Sequence, residues 1–241
     1  MAKKLADIKR AIESREEDFI PYLRERLDSE VINFLINLSK IDDLYLFSGI
    51  IRNYFIGVDD IRDVDIMIDS TKDISSFISK YNHRRNSYGG YKIFVNNTTI
   101  DLWYLRDTWA LHNTQKVLEF ELERYIPSTA FFNFSSILFS FKEQTFYYTK
   151  HFLRFLRDKK IDCVYEPNAN YALCVVNTFY YQDKLNLSLT DNLKKFIFAR
   201  YKRYLKEYNT TQLKHFGEVL YSNEEIVYRA EHLLHKDHMV Y

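Results

Sequence analysis

The segment from Leu46 to Asp69, LFSGIIRNYFIGVDDIRDVDIMID, constrains the fold more than any other part of the chain. The apolar run at 44–47 reads as a strand, Ser48-Gly49 as a turn, and the following residues as a short helix that ends at Gly57. Residues 62–69 then alternate with the period of two that is typical of a strand. Four of the 5 glycines lie between residues 49 and 90. Special backbone geometry is therefore predicted in this one region.

Two acids interrupt the second strand of this segment. Asp63 and Asp65 are two residues apart, so their side chains project from the same face of the strand. Like charges this close repel, and burying them without a partner is costly. A divalent cation such as Mg²⁺, which prefers carboxylate oxygens, would resolve the repulsion. The alternative is an exposed strand end at which the acids pair with Arg52 or Arg62.

A third acid, Asp101, interrupts the apolar strand TTIDLWYL. If this strand pairs with residues 62–69, Asp101 faces the same cation site. Three carboxylates suit a two-ion arrangement for in-line displacement at phosphorus. The alternative for Asp101 is an ordinary position at a sheet edge.

The Ser48-Gly49 turn lies where a strand gives way to a helix. Backbone N–H groups and the positive end of the helix dipole make such a turn an anion site. Taken alone, Ser48 is more simply an N-cap. A turn that binds phosphate close to a strand with paired aspartates would, however, place metal ions and a triphosphate together.

The rest of the pattern predicts an α+β head followed by an all-helical tail. Residues 5–38 read as one or two helices, because their apolar residues recur as a stripe at helical spacing. Residues 90–95 and 98–105 read as strands, 82–90 as a polar loop and 107–123 as helical. A second hairpin follows, and from Thr149 every segment has helical periodicity. We therefore predict a head at 1–148, which includes helices within 5–38, and a helical neck or tail domain at 149–241.

Composition limits the partners and the compartment. Lys and Arg total 34 against 33 for Asp and Glu, so any nucleic acid would have to be bound by a local patch. The 2 cysteines, Cys163 and Cys174, read as core thiols of a reducing compartment. No apolar run is long enough to cross a bilayer. We expect a cytoplasmic protein without membrane contact.

These residues resemble the head of the DNA polymerase β-like nucleotidyltransferases. Within that superfamily the similarity is to the branch of bacterial poly(A) polymerases and CCA-adding tRNA nucleotidyltransferases. It covers residues 41–198 and is most specific at Ser48-Gly49, Arg52-Asn53, Gly57 and Arg62-Asp63-Val64-Asp65-Ile66. The segments SYGGYKIFVNNTTIDLWYLRD and FFNFSSILF are similar to later motifs of the branch, with Ser135 where the family usually has Asn.

The resemblance implies a nucleotidyltransferase head with a mixed β-sheet flanked by helices, and transfer of NMP from an NTP to an acceptor hydroxyl. Asp63, Asp65 and Asp101 would hold two Mg²⁺ (or Mn²⁺) ions. Phosphate and nucleotide binding would fall to Ser48, Gly49, Arg52, Arg62 and Arg106. For Arg52 and Arg106 the alternative is a structural ion pair with Asp63 or Asp107.

Three functions stay open on the sequence. The first is addition of nucleotides to an RNA or tRNA 3′ end, and the second is the same chemistry on a small molecule or a protein side chain. The third is a degenerate, nucleotide-binding head. Basic residues and tyrosines at 199–208 would suit an RNA end, although a helix whose tyrosines pack inward is favoured.

Overall fold

The computed structural model describes residues 4–59, 61, 63–86, 89–112 and 122–234. The chain forms two compact units. The first contains residues 1–130 and 134–157, and the second contains 131–133 and 158–241. The helix at Lys150–Asp158 belongs to the first unit up to residue 157, although it follows the predicted boundary at 148. The functional boundary between head and tail stays a prediction.

The first unit begins with three helices, α1 (Leu5–Glu13), α2 (Glu16–Arg26) and α3 (Ser29–Ser39). The prediction of one or two helices was short by at least one. The break before α3 has a local cause, because the Asp28 carboxylate accepts a hydrogen bond from the Glu30 N–H at 2.8 Å and caps the new helix. The predicted apolar stripe is buried as expected, including Phe19, Leu23 and Phe34.

A seven-stranded mixed sheet forms the centre of this unit. Its strands are β1 (Asp43–Phe47), β2 (Asp63–Asp69), β3 (Asn82–Arg85), β4 (Tyr91–Val95), β5 (Thr98–Tyr104), β6 (Ile137–Ser140) and β7 (Thr145–Tyr148). They lie side by side in the order β3-β4-β5-β2-β1-β6-β7, and within this sheet as described the only parallel pair is β2 with β5. The short helices are α4 (Gly49–Ile56), α5 (Ser75–Ile78), α6 (Trp109–His112) and α7 (Leu122–Tyr125).

Strand β3 corrects the prediction of a loop over 82–90. Its four residues pair antiparallel with β4, from Asn82 opposite Phe94 to Arg85 opposite Tyr91. All four side chains are exposed, so the segment lacks the apolar alternation that identifies a strand. This edge strand forms because its backbone pairs with the neighbouring strand β4. Part of the helical prediction for 107–123 lies outside the described residues.

The two faces of the sheet are covered differently. Leu46, Ile66 and Phe139 lie side by side on one face, where Phe139 packs against Phe19 of α2 with ring centroids 4.7 Å apart. On the other face a cluster of Tyr45, Met67, Leu105, Ile126 and Leu138 covers the middle of β1, β2 and β6. Asp63 and Asp65 lie on this second face and are only half-buried.

The second unit is mainly helical, as predicted. Its helices are α9 (Tyr171–Leu185), α10 (Asp191–Phe198), α11 (Tyr208–Phe216) and α12 (Asn223–His232), whereas α8 (Lys150–Asp158) lies almost wholly in the first unit. Two short strands, β8 (Lys160–Ile161) and β9 (Ser188–Leu189), form a parallel pair that the prediction lacked. Both cysteines are free and buried, which confirms them as core thiols. None of the described helices has the length and apolar character needed to cross a membrane.

Gln212 fixes the return of the chain after α11. Its buried amide donates to the Tyr221 carbonyl at 2.9 Å and accepts from the Leu220 and Tyr221 N–H groups at 3.0 and 2.9 Å. Gln212→Ala is expected to lower the free energy of unfolding by about 3 kcal/mol, because these buried backbone groups lose their partner. Urea unfolding measures the loss. Leu213→Ala, at a side chain that is 54% exposed, is the control, and equal midpoints for the two variants would contradict the role of Gln212.

Candidate active site

The register of the sheet brings the three predicted acids to one place. Asp65 lies opposite Asp101 in the parallel pair of β2 and β5, and Asp63 lies opposite Thr99. Residues opposite each other in a sheet project from the same face, as do residues two apart on one strand. Asp63, Asp65 and Asp101 therefore lie on one face of two adjacent strands, with Asp63 and Asp65 near the beginning of β2 and Asp101 in the middle of β5.

The Ser48-Gly49 turn lies at the same end of the sheet. Phe47, the last residue of β1, pairs with Asp65, so the turn follows immediately beside the acids. Ser48 has φ 60° and ψ −106°, a conformation that costs about 1–3 kcal/mol in a residue other than glycine. Its hydroxyl lies 2.7 Å from the hydroxyl of Ser135, and its N–H donates to the Ile137 carbonyl at 3.4 Å. These contacts hold the strained turn.

Ser48 is the residue that precedes α4, but its side chain makes no capping hydrogen bond. The hydroxyl is instead directed to Ser135, so the simple N-cap interpretation does not describe it. The N–H groups in the first turn of a helix have no partner within the helix. The turn therefore presents backbone donors and a positive dipole end beside the acids.

Arg52 adds a positive charge beneath this turn. Its side chain is buried, and Nε and Nη2 donate to the Asn53 Oδ1 atom at 3.0 and 2.8 Å. The guanidinium also lies over the Phe134 ring, 5.1 Å from the centroid. A Cβ placed on Gly49 would be 4.0 Å from Nη2 of Arg52. The buried cation therefore lies on the side of Gly49 to which a Cβ would point, where it favours an anion.

Asp101 has a partner that the sequence analysis missed. Lys92 lies opposite it on β4, and its Nζ is 2.7 Å from the Asp101 Oδ2 atom. Both side chains are about three-quarters buried, at 26% and 23% exposed. Among the described residues, no group of three Asp, Glu, His or Cys side chains is arranged so that it could hold a metal ion. Lys92 thus takes the place next to Asp101 that a cation would take.

Of the two remaining predicted arginines, Arg106 is not brought to the acids. Arg62 lies outside the described residues. Arg106 lies at the far end of β2, where its Nη2 donates to the Ser70 carbonyl. Five residues of strand, about 17 Å, separate Ser70 from Asp65. Burial raises the pKa of the neighbouring Asp69 carboxyl, and the Arg106 charge partly offsets this.

The basic segment at 199–208 follows the inward-packing interpretation. Tyr201 and Tyr208 are buried, and the Tyr208 hydroxyl donates to the Tyr201 carbonyl at 2.8 Å. Arg200 pairs with Glu166 at 3.2 Å and lies over the Phe196 ring. These two tyrosines therefore serve the core of the helical unit and do not form a stacking surface.

No family model and no curated protein sequence matches this chain. Solved structures do match it. A CCA-adding enzyme with CTP superposes with a TM-score of 0.64 at 12% identity, over 88% of this chain and 53% of that one. The Thermotoga maritima CCA-adding enzyme complexed with tRNA gives 0.60 at 12% identity, over 88% and 52%.

A tRNA nucleotidyltransferase complexed with a primer tRNA and an incoming ATP analog gives a TM-score of 0.56 at 14% identity, over 86% of this chain and 62% of that one. The fold is therefore that of CCA-adding enzymes and tRNA nucleotidyltransferases, the branch that residues 41–198 resemble. The predicted fold class, a mixed sheet flanked by helices and followed by a helical part, is confirmed. The chain spans about half the length of the first two structures and somewhat more of the third.

Proposed function

We propose that this chain is a metal-dependent nucleotidyltransferase that transfers NMP from an NTP to the 3′ hydroxyl of an RNA, with a tRNA as the favoured acceptor. The observation that supports the proposal is that three aspartates and the Ser48-Gly49 turn lie close together on the central strands β5, β2 and β1. The sheet that carries them belongs to a fold shared with enzymes solved with CTP, ATP and tRNA.

The donor set suits Mg²⁺ or Mn²⁺. Asp63, Asp65 and Asp101 supply hard carboxylate oxygens from one face, although Asp101 would have to exchange Lys92 for the ion. Two bound divalent ions would lower the pKa of the acceptor hydroxyl and neutralise the leaving pyrophosphate. The three aspartates are proposed as the groups that hold them.

The other residues bind and orient the triphosphate. The Gly49 backbone and the Ser48 hydroxyl would hold its terminal phosphates at the start of α4, while Arg52 offsets their charge from below. In the reaction the acceptor oxygen bonds to the α-phosphorus, the bond from that phosphorus to the bridging oxygen breaks, and pyrophosphate leaves. The proton of the acceptor hydroxyl passes to water.

Lys92 is predicted to compete with the divalent ion for Asp101. Lys92→Met should tighten Mn²⁺ binding by about tenfold, because it frees a carboxylate and removes a positive charge beside the site. Titration of free Mn²⁺ by electron paramagnetic resonance measures this without relying on activity. The matched control is Lys142→Met, which breaks a more exposed ion pair with Asp43 at the far end of β1. Equal Mn²⁺ affinity in wild type and Lys92→Met would contradict the competition.

Incubation with each labelled NTP, Mg²⁺ and total RNA tests the function directly. We expect label to enter RNA, and chelation of the metal to abolish the transfer. The net charge of the chain is near neutral, which also suits an acceptor other than RNA. The assay therefore includes small molecules and protein side chains as a second class of acceptor. Label in those fractions would assign that class, and no transfer from any nucleotide would overturn the proposal.

A further inference from the structure

Strands β3 and β4, at one edge of the seven-stranded sheet, expose a face next to the acids. Along β4 the residues Tyr91, Ile93 and Val95 are buried, while Lys92 and Phe94 project from the opposite face. Phe94 is 37% exposed and makes no ring contact with another aromatic side chain among the described residues. β4 thus presents a cation and an accessible aromatic ring on the face that carries Asp101.

The strand register links this face to the acids. One row across the sheet runs from Arg84 on β3 through Lys92 and Asp101 to Asp65. Strands are about 4.8 Å apart, so Arg84 lies roughly 14 Å from Asp65. Arg84 is exposed, and its guanidinium makes no ion pair or side-chain hydrogen bond with the described part of the chain. It is therefore available to a ligand.

A second row places the ring closer. This row runs from Asn82 on β3 through Phe94 on β4 and Thr99 on β5 to Asp63 on β2. Phe94 is thus two strands, about 10 Å, from Asp63. A molecule that stacks on Phe94 and contacts Arg84 could extend one end to the acids while its negative groups stay beside Arg84.

We propose that this face, formed by Asn82, Arg84, Lys92 and Phe94, binds the single-stranded 3′ end of the RNA acceptor. The inference rests on the proposed function and adds where the acceptor binds. A base would stack on Phe94, since every base has a face that an aromatic ring can cover. A backbone phosphate would be neutralised by Arg84, outside the repulsion of the three aspartates.

The charge of the face favours RNA over a protein partner. One ring beside an unpaired guanidinium is far smaller than the apolar core of a stable protein interface. The combination of a stacking ring and a free cation matches a single-stranded polyanion instead. The face is therefore assigned to RNA, and RNA binding that does not depend on these side chains would overturn the assignment.

The affinity of the full chain for a short single-stranded RNA with a free 3′ hydroxyl tests the proposal. Phe94→Ala should weaken binding about tenfold. Arg84→Gln should weaken it about three- to fivefold and reduce the salt dependence by about one phosphate contact. Thermal unfolding of each variant checks the fold, which is expected to be unaffected because both side chains are exposed.

Arg85→Gln is the matched control. Arg85 follows Arg84 on the same strand but projects from the other face, where it lies over the Tyr91 ring and donates to the Gly89 carbonyl at 2.7 Å. Its loss removes the same charge and should change RNA affinity less than twofold. Wild-type RNA affinity in Phe94→Ala, or equal losses in Arg84→Gln and Arg85→Gln, would overturn the proposal.

Failure of the surface and failure of the function give different results. If wild type transfers label to RNA but the variants bind RNA unchanged, the surface is wrong and the enzyme activity stands. If wild type binds RNA through Phe94 and Arg84 but transfers no label from any NTP, the surface stands and the activity is wrong. If wild type binds no RNA at all, the surface is overturned.

Discussion

Replacing Asp65 by Asn is expected to reduce nucleotidyl transfer by about 1,000-fold or more, which corresponds to roughly 4 kcal/mol of transition-state stabilisation. Asp65 is the central acid, since it lies opposite Asp101 and two residues from Asp63. The amide keeps the shape of the side chain but removes the negative charge that a divalent ion needs. Single-turnover transfer of label from NTP to acceptor measures the loss.

The matched control for this variant is Asp69→Asn. Asp69 belongs to the same strand and projects from the same face, but it lies at the opposite end of β2, opposite Asp43. Its replacement should leave transfer within about twofold of wild type. Comparable losses in the two variants, or an Asp65→Asn enzyme that retains more than a tenth of the activity, would show that the acids at the start of β2 have no special role.

Gly49→Ala should separate nucleotide binding from stability. The nearest atom to an added Cβ is Nη2 of Arg52 at 4.0 Å, so the folded chain has room for the methyl group. Alanine is about 0.5–1 kcal/mol more favourable than glycine inside a helix, and Gly49 is the first residue of α4, so stability should rise by less than this amount. The methyl group would, however, occupy the approach of a phosphate to the backbone, and we expect NTP affinity to fall at least about tenfold.

The opposite pattern is expected at the other end of the same helix. Gly57 has φ +72° and no neighbour within 4 Å of an added Cβ. Gly57→Ala should therefore cost about 1 kcal/mol of stability through backbone strain and leave NTP affinity unchanged. Fluorescent-nucleotide titration and thermal unfolding of both variants provide the comparison. Loss of NTP affinity in both, or in neither, would remove the phosphate-binding role from the turn.

Local periodicity was sufficient to predict the strands that carry the acids. The period of two at 62–69 and 98–105 predicted β2 and β5. The structure confirms that these two strands pair, which was the condition for Asp101 to face the other two acids. The turn at Ser48-Gly49 was equally readable, because a strand ended and a helix began there. Each of these features depends on residues that are neighbours in sequence.

Features that depend on distant partners were missed. Lys92 interrupts an apolar strand in GYKIFV, which was a readable signal, but its partner Asp101 follows only from the register of β4 and β5. Strand β3 is formed by pairing and has no apolar alternation of its own. Arg106 follows β5 directly, yet the parallel direction of β5 carries it to the far end of β2.

Diffraction from crystals soaked with Mn²⁺ and a non-hydrolysable NTP tests the central claim most directly. We predict anomalous Mn²⁺ density about 2.2 Å from carboxylate oxygens of Asp63 and Asp65, with Asp101 released from Lys92 toward the ion. The terminal phosphates should contact the Gly49 N–H. Mn²⁺ or triphosphate bound elsewhere, with the three aspartates unliganded, would contradict the account.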